Sequence, residues 1–516
     1  MTHLRDVEEA HPVPPIFLTA IYLSLLLALL LTHSMFKRLD HDEHQFISSG
    51  ALLARHALIP YRDYPYFHMP YLVAIYAALF HATDHLLLAA RLFSTACAFL
   101  IVLLVELFII DLLKPLKYRT RLLIQTTVLI ILIGNPLFIV TSGRSWNHDL
   151  PTLLTLLAFL MICFGLRNKN STSWRFISAG ALMGLAVGTR LTFAPAAVIL
   201  PLSLLCINGI DKQNRGRLAG YFLFGLIAAL LPVGFLFMMA PHQFIFGNFK
   251  YPFYNTLYRS TEHFATAMNL LGKAAFVLIG LFSQPATLVL TTLCIASTLT
   301  MTRLIKWRSQ QMVELQLLFA LIAGLLIGTF APTPLYLQYF YTPMVFMILT
   351  AAYGMAISPV KTKWIAGFII TALLSLPYVA TNYYPIWRLF SFHNWIPVQV
   401  HETGQRIVAS AGHGRVLTLA PIFALEGHAE IYPELSTGPF AWRIAPFVPE
   451  SEEHALDTLD TDDLDAALSN RPPAIVLVGV EAELDKPLLA YATRHALPVV
   501  QINHSTEMAA RAGASQ

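Results

Sequence analysis

Charge is what this 516-residue sequence lacks. Asp, Glu, Lys and Arg make up 12% of it, against 56% hydrophobic residues, and the mean hydropathy of +0.60 lies outside the soluble globular range. Cysteine is also scarce. The four cysteines (Cys97, Cys163, Cys206, Cys294) sit inside apolar runs with no CxxC, which excludes a thiolate zinc cluster and leaves them as small hydrophobes facing neighbouring helices. There is no P-loop and no Rossmann glycine pattern, so neither ATP nor a nucleotide sugar is expected as energy source, and no nucleic-acid partner is expected. No A-x-A-like site follows the first apolar run, and its flank (Asp6, Glu8, Glu9) is acidic. Residues 16–35 therefore read as a retained helix, not as a secretory signal.

Long apolar runs are what the sequence has. They fall near 16–36, 86–113, 122–141, 150–166, 175–189, 191–208, 218–240, 273–301, 314–331, 335–357 and 364–381, each close to the ~20 residues that cross a bilayer. The expected fold class is a polytopic α-helical membrane protein with about eleven transmembrane helices. Alternate connectors are short and basic: Lys114, Lys117, Arg119 and Arg121; Arg167, Lys169 and Arg175; Lys212, Arg215 and Arg217; Arg303, Lys306 and Arg308; Lys361 and Lys363. The positive-inside rule makes these cytoplasmic, together with the N-terminus, and puts the 37–85 loop and everything after residue 382 outside. The expected localisation is integral, in a bacterial inner or plasma membrane.

Two domains are expected. Residues 1–381 form a transmembrane module with a large first outer loop at 37–85. Residues 382–516 change composition: RVLTLAP (415–421), AIVLVG (474–479) and PVVQINH (498–504) read as short buried strands between helical patterns. They make a small soluble C-terminal α/β domain on the extracytoplasmic side.

The first outer loop gathers Asp40, Asp42, Glu43, Asp63 and Asp84, Arg55 and Arg62, and six histidines. Ionisable groups concentrated at a membrane surface point to a functional site. The short cytoplasmic loops leave no room for a nucleotide-binding domain, so if the protein is an enzyme its activated substrate must reach the outer face by itself, and a lipid-linked phosphate is the obvious candidate. Displacing a lipid phosphate from a sugar carbon needs a base for the acceptor hydroxyl and positive charge for the departing phosphate. The carboxylate candidates are Asp42, Glu43 and Asp149. The cation candidates are Arg62, Arg91, Arg144 and Arg190, with Lys250 and Arg259. Each has a plainer reading. An acid after a transmembrane helix is ordinarily a solvated flank or a cap, Asp149 in NHDLP stands where N-caps stand, and Arg190 has the place of a snorkelling side chain. No four histidines converge by spacing on a zinc site; a divalent metal stays open as the one cofactor.

These residues resemble the GT-C membrane glycosyltransferases that use lipid-linked sugars, the superfamily of protein O-mannosyltransferases (family 39) and aminoarabinose transferases. The Asp42–Glu43 pair, SSGALLARH, LIPYRDYPYFHMP (58–70), Arg91 in AARLFSTACAFL, Asp149, TRLTFAP (189–195), QYFYTPM (338–344), LTLAPIFALEGHAEIYPEL and TGPFAWR are similar to that family in order. One departure is His56, where a small residue or glycine is common. The resemblance implies an inverting transferase with Asp42 as base or the base's partner and Arg91 on the donor phosphate. It implies a lipid-linked sugar donor, membrane lipids, and an acceptor that is a glycan, lipid or protein as partners. The alternatives are a transporter or flippase of lipid-linked saccharides and a non-catalytic envelope-assembly subunit. Ionisable residues at span ends, with Glu106 the main exception, speak against transport. The C-terminal domain is expected on the acceptor side, without catalytic residues of its own.

Overall fold

The computed structural model describes residues 16–168, 173–207, 212–261, 269–304, 310–358, 360–411, 414–459 and 463–502. The acidic N-terminal flank, Lys169, Lys306, Arg308, the end of the 498–504 run and the last ten residues lie outside the described residues.

The chain runs α1 (Ile16–Met35), α2 (His41–His56), α3 (Tyr71–Phe80), α4 (Leu86–Leu112), α5 (Tyr118–Ile133), α6 (Pro136–Thr141), α7 (Asp149–Arg167), α8 (Ser173–Thr189), α9 (Ala194–Cys206) and α10 (Lys212–Met239). There follow α11 (Pro241–Ile245), α12 (Tyr251–Thr261), α13 (Leu270–Phe282), α14 (Pro285–Leu304), α15 (Gln310–Phe330), α16 (Tyr341–Ile357) and α17 (Lys361–Tyr383). Among the described residues seven helices are long and apolar enough to span a membrane, or eight if α13 and α14, bent by 105°, make one span. The protein is an integral membrane protein. The remaining expected spans are present as broken or shorter helices, for local reasons. The 122–141 run breaks where Asn135 caps Leu137 N–H and Pro136 starts α6. The 175–189 and 191–208 runs are divided at Arg190 as expected, its extended backbone leading into a single 3-10 turn before the short apolar α9.

The bundle is drawn together by glycines. A Cβ on Gly180 of α8 would come within 1.8 Å of Phe222 O on α10, and one on Gly225 within 1.9 Å of Ile177 O. The two backbones touch because no side chain separates them. Gly220 on the same helix has nothing within 4 Å.

The loop between α1 and α4 is helical rather than slack. Asp40 accepts from Asp42 N–H at 3.0 Å and gives its own N–H to Glu43 at 3.1 Å, a capping box that starts α2. Ala57 ends the helix in the left-handed region. The helix is buried from Glu43 to Leu52, and a Cβ on Gly50 would meet Tyr76 of α3 at 2.7 Å.

After α17 come α18 (Ile396–Ala411), β1 (Val416–Thr418), α19 (Pro421–Glu426), α20 (Pro439–Ile444), α21 (Glu450–Leu456), α22 (Leu464–Leu468), β2 (Ile475–Val478), α23 (Lys486–Arg494) and β3 (Val499–Gln501). The strands form one parallel sheet in order β1-β2-β3, with Val416 opposite Ile475 and Val476 opposite Val499. Side chains alternate between the faces of a strand, and here the faces serve different cores. Val416, Ile475 and Leu477 join the core continuous with the bundle. Leu417, Val476 and Val478 pack with Trp442, Leu488 and Tyr491 in a core of their own.

Glycine contacts of this kind tolerate no methyl group. Gly225→Ala is expected to lower the thermal midpoint of the detergent-solubilised protein, as overpacking costs about 1–3 kcal/mol. Gly220→Ala should leave it level or raise it slightly, by up to ~1 kcal/mol of helix propensity. Equal midpoints for the two variants would show that the α8–α10 contact is not this close.

Candidate active site

The end of the bundle carrying α2 and α3 is built around a buried ion pair. Arg91, in the first turns of α4, and Glu43, in the first turn of α2, are both 0% exposed as side chains. Arg91 Nε donates to Glu43 Oε1 at 2.9 Å and Nη2 to Oε2 at 2.7 Å, a bidentate fork. Its other N–H groups go to the carbonyls of Ser34 (3.1 Å), Lys37 (2.7 Å) and Arg38 (3.1 Å). Glu43 also accepts from Ser145 N–H at 3.0 Å. Burial alone would raise the Glu43 carboxyl; the Arg91 guanidinium holds it down to about 2, helped by Arg144 and the Ser145 N–H. The pair ties the end of α1, the start of α2, the start of α4 and the 143–148 turn into one piece.

Asp149 fastens the other side of that turn. Its carboxylate accepts from Gly143 N–H at 2.8 Å and from the Tyr341 hydroxyl at 2.9 Å. Gly143 has φ +76°, and a Cβ there would press on Ser34 at 3.0 Å, so glycine is required at this position. Lys37 closes the ring by donating to Ser142 O at 2.5 Å.

Glu43 points into this knot, and Asp42, about 100° further round the helix, points out of it. Asp42 lines a cavity of about 310 Å³ together with His41, His68, Trp146, Asn147, His148, Arg190, Tyr251, Asn255, Arg259, Tyr336, Gln338, Tyr339 and Arg443, among others. Its side chain is 27% exposed. Burial raises the Asp42 carboxyl above the ordinary aspartate value, while His41, Arg443 and Arg190 pull the other way. Arg190 is set firmly in the wall. It donates to Asn147 Oδ1 at 2.9 Å, contacts His148 Nε2 at 2.6 Å, and its guanidinium lies 4.8 Å from the centre of the Tyr339 ring. Burial, followed by the charge of Arg190, lowers His68 to about 3 and His148 well below the usual imidazole value, so both are neutral. Asp40, His41 and Asp42 offer three ligand atoms within 4.8 Å of one another. Two carboxylates and an imidazole are a donor set that fits a divalent cation.

No protein-family model matches the chain, and no curated protein matches its sequence. Solved structures do. Apo ArnT from Cupriavidus metallidurans aligns with a TM-score of 0.53 at 12% identity, over 85% of this chain and 90% of that one. The same protein bound to undecaprenyl phosphate aligns at 0.50 and 15% identity, over 94% and 90%. The chain shares the fold of ArnT.

Within this fold the residues singled out from sequence separate by position. Asp42, Arg190 and Arg259 line the cavity. Glu43, Arg91 and Asp149 form the knot behind it, where Arg91 spends all five N–H groups on the protein and keeps none for a phosphate. Arg144 stands between the two groups, 3.9 Å from both Asp40 and Glu43, with its guanidinium 5.0 Å from the Trp146 ring centre. Arg62 is on the surface, held to Asp63 at 2.7 Å and outside the cavity wall. Lys250 is paired to Glu452 at 2.7 Å. The sequence reading gave no role to His68, Tyr251, Asn255 or Arg443. A signal for the last was present, since it lies in the TGPFAWR run.

Removing one partner of the buried pair leaves the other charge stranded. Glu43→Gln is expected to cost about 3–5 kcal/mol, whereas Arg62→Gln, on the surface, should stay within ~0.5 kcal/mol of the parent. The Glu43 carboxyl is depressed in the fold, so its stabilisation is fully present above the ordinary glutamate value of about 4.3 and is lost as pH falls toward about 2. Thermal midpoints of parent and Glu43→Gln should therefore converge as the solution is acidified; a constant gap would refute the pairing.

Proposed function

We propose that this protein is an inverting glycosyltransferase that moves a sugar from a polyprenyl-phosphate-linked donor to an acceptor on the outer, extracytoplasmic face of the membrane. The observation that carries the reading is the cavity itself: a carboxylate with raised proton affinity and a wall-mounted arginine share one space. It lies at the end of the bundle that the basic connectors leave outside. That ArnT, a protein of similar fold, has been solved with undecaprenyl phosphate supports a lipid phosphate as donor anchor.

In this reading the Asp42 carboxylate takes the proton of an acceptor hydroxyl as its oxygen attacks the anomeric carbon on the face opposite the phosphate. The bond from that carbon to the phosphate oxygen breaks, and the lipid phosphate leaves with the electron pair. Arg190 neutralises the departing charge, its orientation set by Asn147, His148 and Tyr339. Glu43, Arg91 and Asp149 act through position: they fix the helix that aims Asp42 and the turn that carries Asn147 and His148. Arg144 adds charge beside the same turn. Asp40, His41 and Asp42 are the residues that would hold a divalent ion, which would supply further positive charge to the phosphate. Residues 382–516 are read as an extracytoplasmic α/β unit seated on the transmembrane module of 1–381.

Membranes containing the protein are expected to consume one member of a panel of polyprenyl-phosphate sugars, and release of the free lipid phosphate reports it. Consumption of none removes the transferase reading. Asp42→Asn should lower turnover by roughly 10²–10⁴-fold with donor binding retained, the usual loss for a general base. A base must be deprotonated to act, so kcat/KM should rise with pH through a midpoint above the usual aspartate value of about 3.9. A parent enzyme with a flat profile across that range would assign the proton to another group.

A further inference from the structure

The C-terminal part of the chain contributes a cation to the cavity. Arg443 sits near the end of α20, which starts from Gly438 in the left-handed region (φ +63°). A Cβ on Gly438 would stand 2.9 Å from Leu419 O and 3.4 Å from His44 of α2, so this turn seats α20 against the loop helix of the bundle. Phe440 of the same helix packs on His41, ring centres 5.5 Å apart.

The Arg443 side chain is built in. It is 7% exposed, its guanidinium lies 4.4 Å from the Phe440 ring centre and 5.4 Å from that of Tyr258, and Nη2 donates to Tyr251 OH at 3.0 Å and Asn255 Oδ1 at 2.7 Å. Both hydrogen-bond partners are neutral. Its Nε is buried with no hydrogen-bond partner in the protein, in a side chain that lines the same cavity as Asp42 and Arg190. Trp146 Nε1 and Asn147 Nδ2, also in that wall, are buried donors in the same condition. Buried guanidinium groups are ordinarily matched by an anion, and a planar fork with spare N–H groups matches the oxygens of a phosphate.

We infer that Arg443 binds a phosphate ester in the cavity, so that the C-terminal segment is part of the substrate site and not only a cover above it. Naming the anion a phosphate rests on the transferase reading; the anion site rests on the geometry alone. The phosphate belongs either to the lipid-linked donor or to a water-borne acceptor, and the same chemistry serves both.

The test uses the full-length protein in nanodiscs, with equilibrium binding of undecaprenyl phosphate and, separately, of inorganic phosphate. Arg443→Gln should weaken binding roughly ten- to hundred-fold, the loss of a charged hydrogen-bonding partner. Arg443→Lys, which keeps the charge and loses the fork, should fall between it and the parent. A loss confined to the lipid probe assigns the phosphate to the donor, and a loss for inorganic phosphate as well assigns a site open to a water-borne phosphate. Parent-like binding of both probes by folded Arg443→Gln overturns the inference. If that variant does not fold, parent-like binding by Arg443→Lys overturns it instead. A parent protein that binds undecaprenyl phosphate yet turns over no donor would end the transferase reading and leave the phosphate site standing; a parent that binds neither probe ends the inference whatever its turnover.

Discussion

A guanidinium and a carboxylate, neither touching solvent, hold this structure's working end in shape. Burying both is costly, and the cost is met only because every donor on Arg91 and both oxygens of Glu43 have partners. Those partners are scattered over four segments: the end of α1, the start of α2, the start of α4 and the turn before α7. A small displacement of any one would leave a charge without its match. The arrangement of the loop helix therefore answers an electrostatic requirement as well as the packing of its buried face. Asp42 inherits its aim from its neighbour.

The same logic orders the cavity. Two of its cations are held by aromatic rings and neutral polar groups: Arg190 by Asn147, His148 and Tyr339, Arg443 by Tyr251, Asn255 and Phe440. Such contacts fix a guanidinium in place without cancelling its charge. Asp42 lies in the field of both, and the charges of Arg190 and Arg443 oppose the effect of its burial. The carboxylate's proton affinity and the setting of the arginines are thus two outcomes of one choice of wall residues.

Hydropathy made the membrane bundle legible, including the interruption at Arg190, and its failure is local: Asn135-Pro136 breaks a run that a window average joins. The three short strands were readable as apolar runs, and the sheet forms from them. The site was legible to a lesser depth. Asp40 and Glu43 stand at capping-box spacing, but a pair of acids after a helix reads equally as catalysts, and only three-dimensional contact with Arg91 separates the inward acid from the outward one. Arg91 looked free because its partners include three backbone carbonyls, which no side-chain pattern reveals. Arg62 looked available because a sequence does not show that Asp63 takes it up at the surface. Arg443 is about 400 residues from Asp42 in sequence, and no spacing rule reaches that far.

The sheet has consequences for how the protein is made. One face of β1 and β2 shares the bundle's core, and the Glu426 carboxylate accepts the Leu87 N–H in the first turn of α4 at 2.7 Å, so the last quarter of the chain completes elements laid down in its first fifth. A nascent chain with all its spans inserted still lacks the α20 wall and the acceptor for Leu87. Synthesis runs from N- to C-terminus, so the cavity closes only after the ribosome has passed beyond residue 443 and that segment has joined the bundle. A truncated or stalled product holds Asp42 and Arg190 in an unfinished pocket, and completion of the polypeptide itself becomes the gate on any chemistry there.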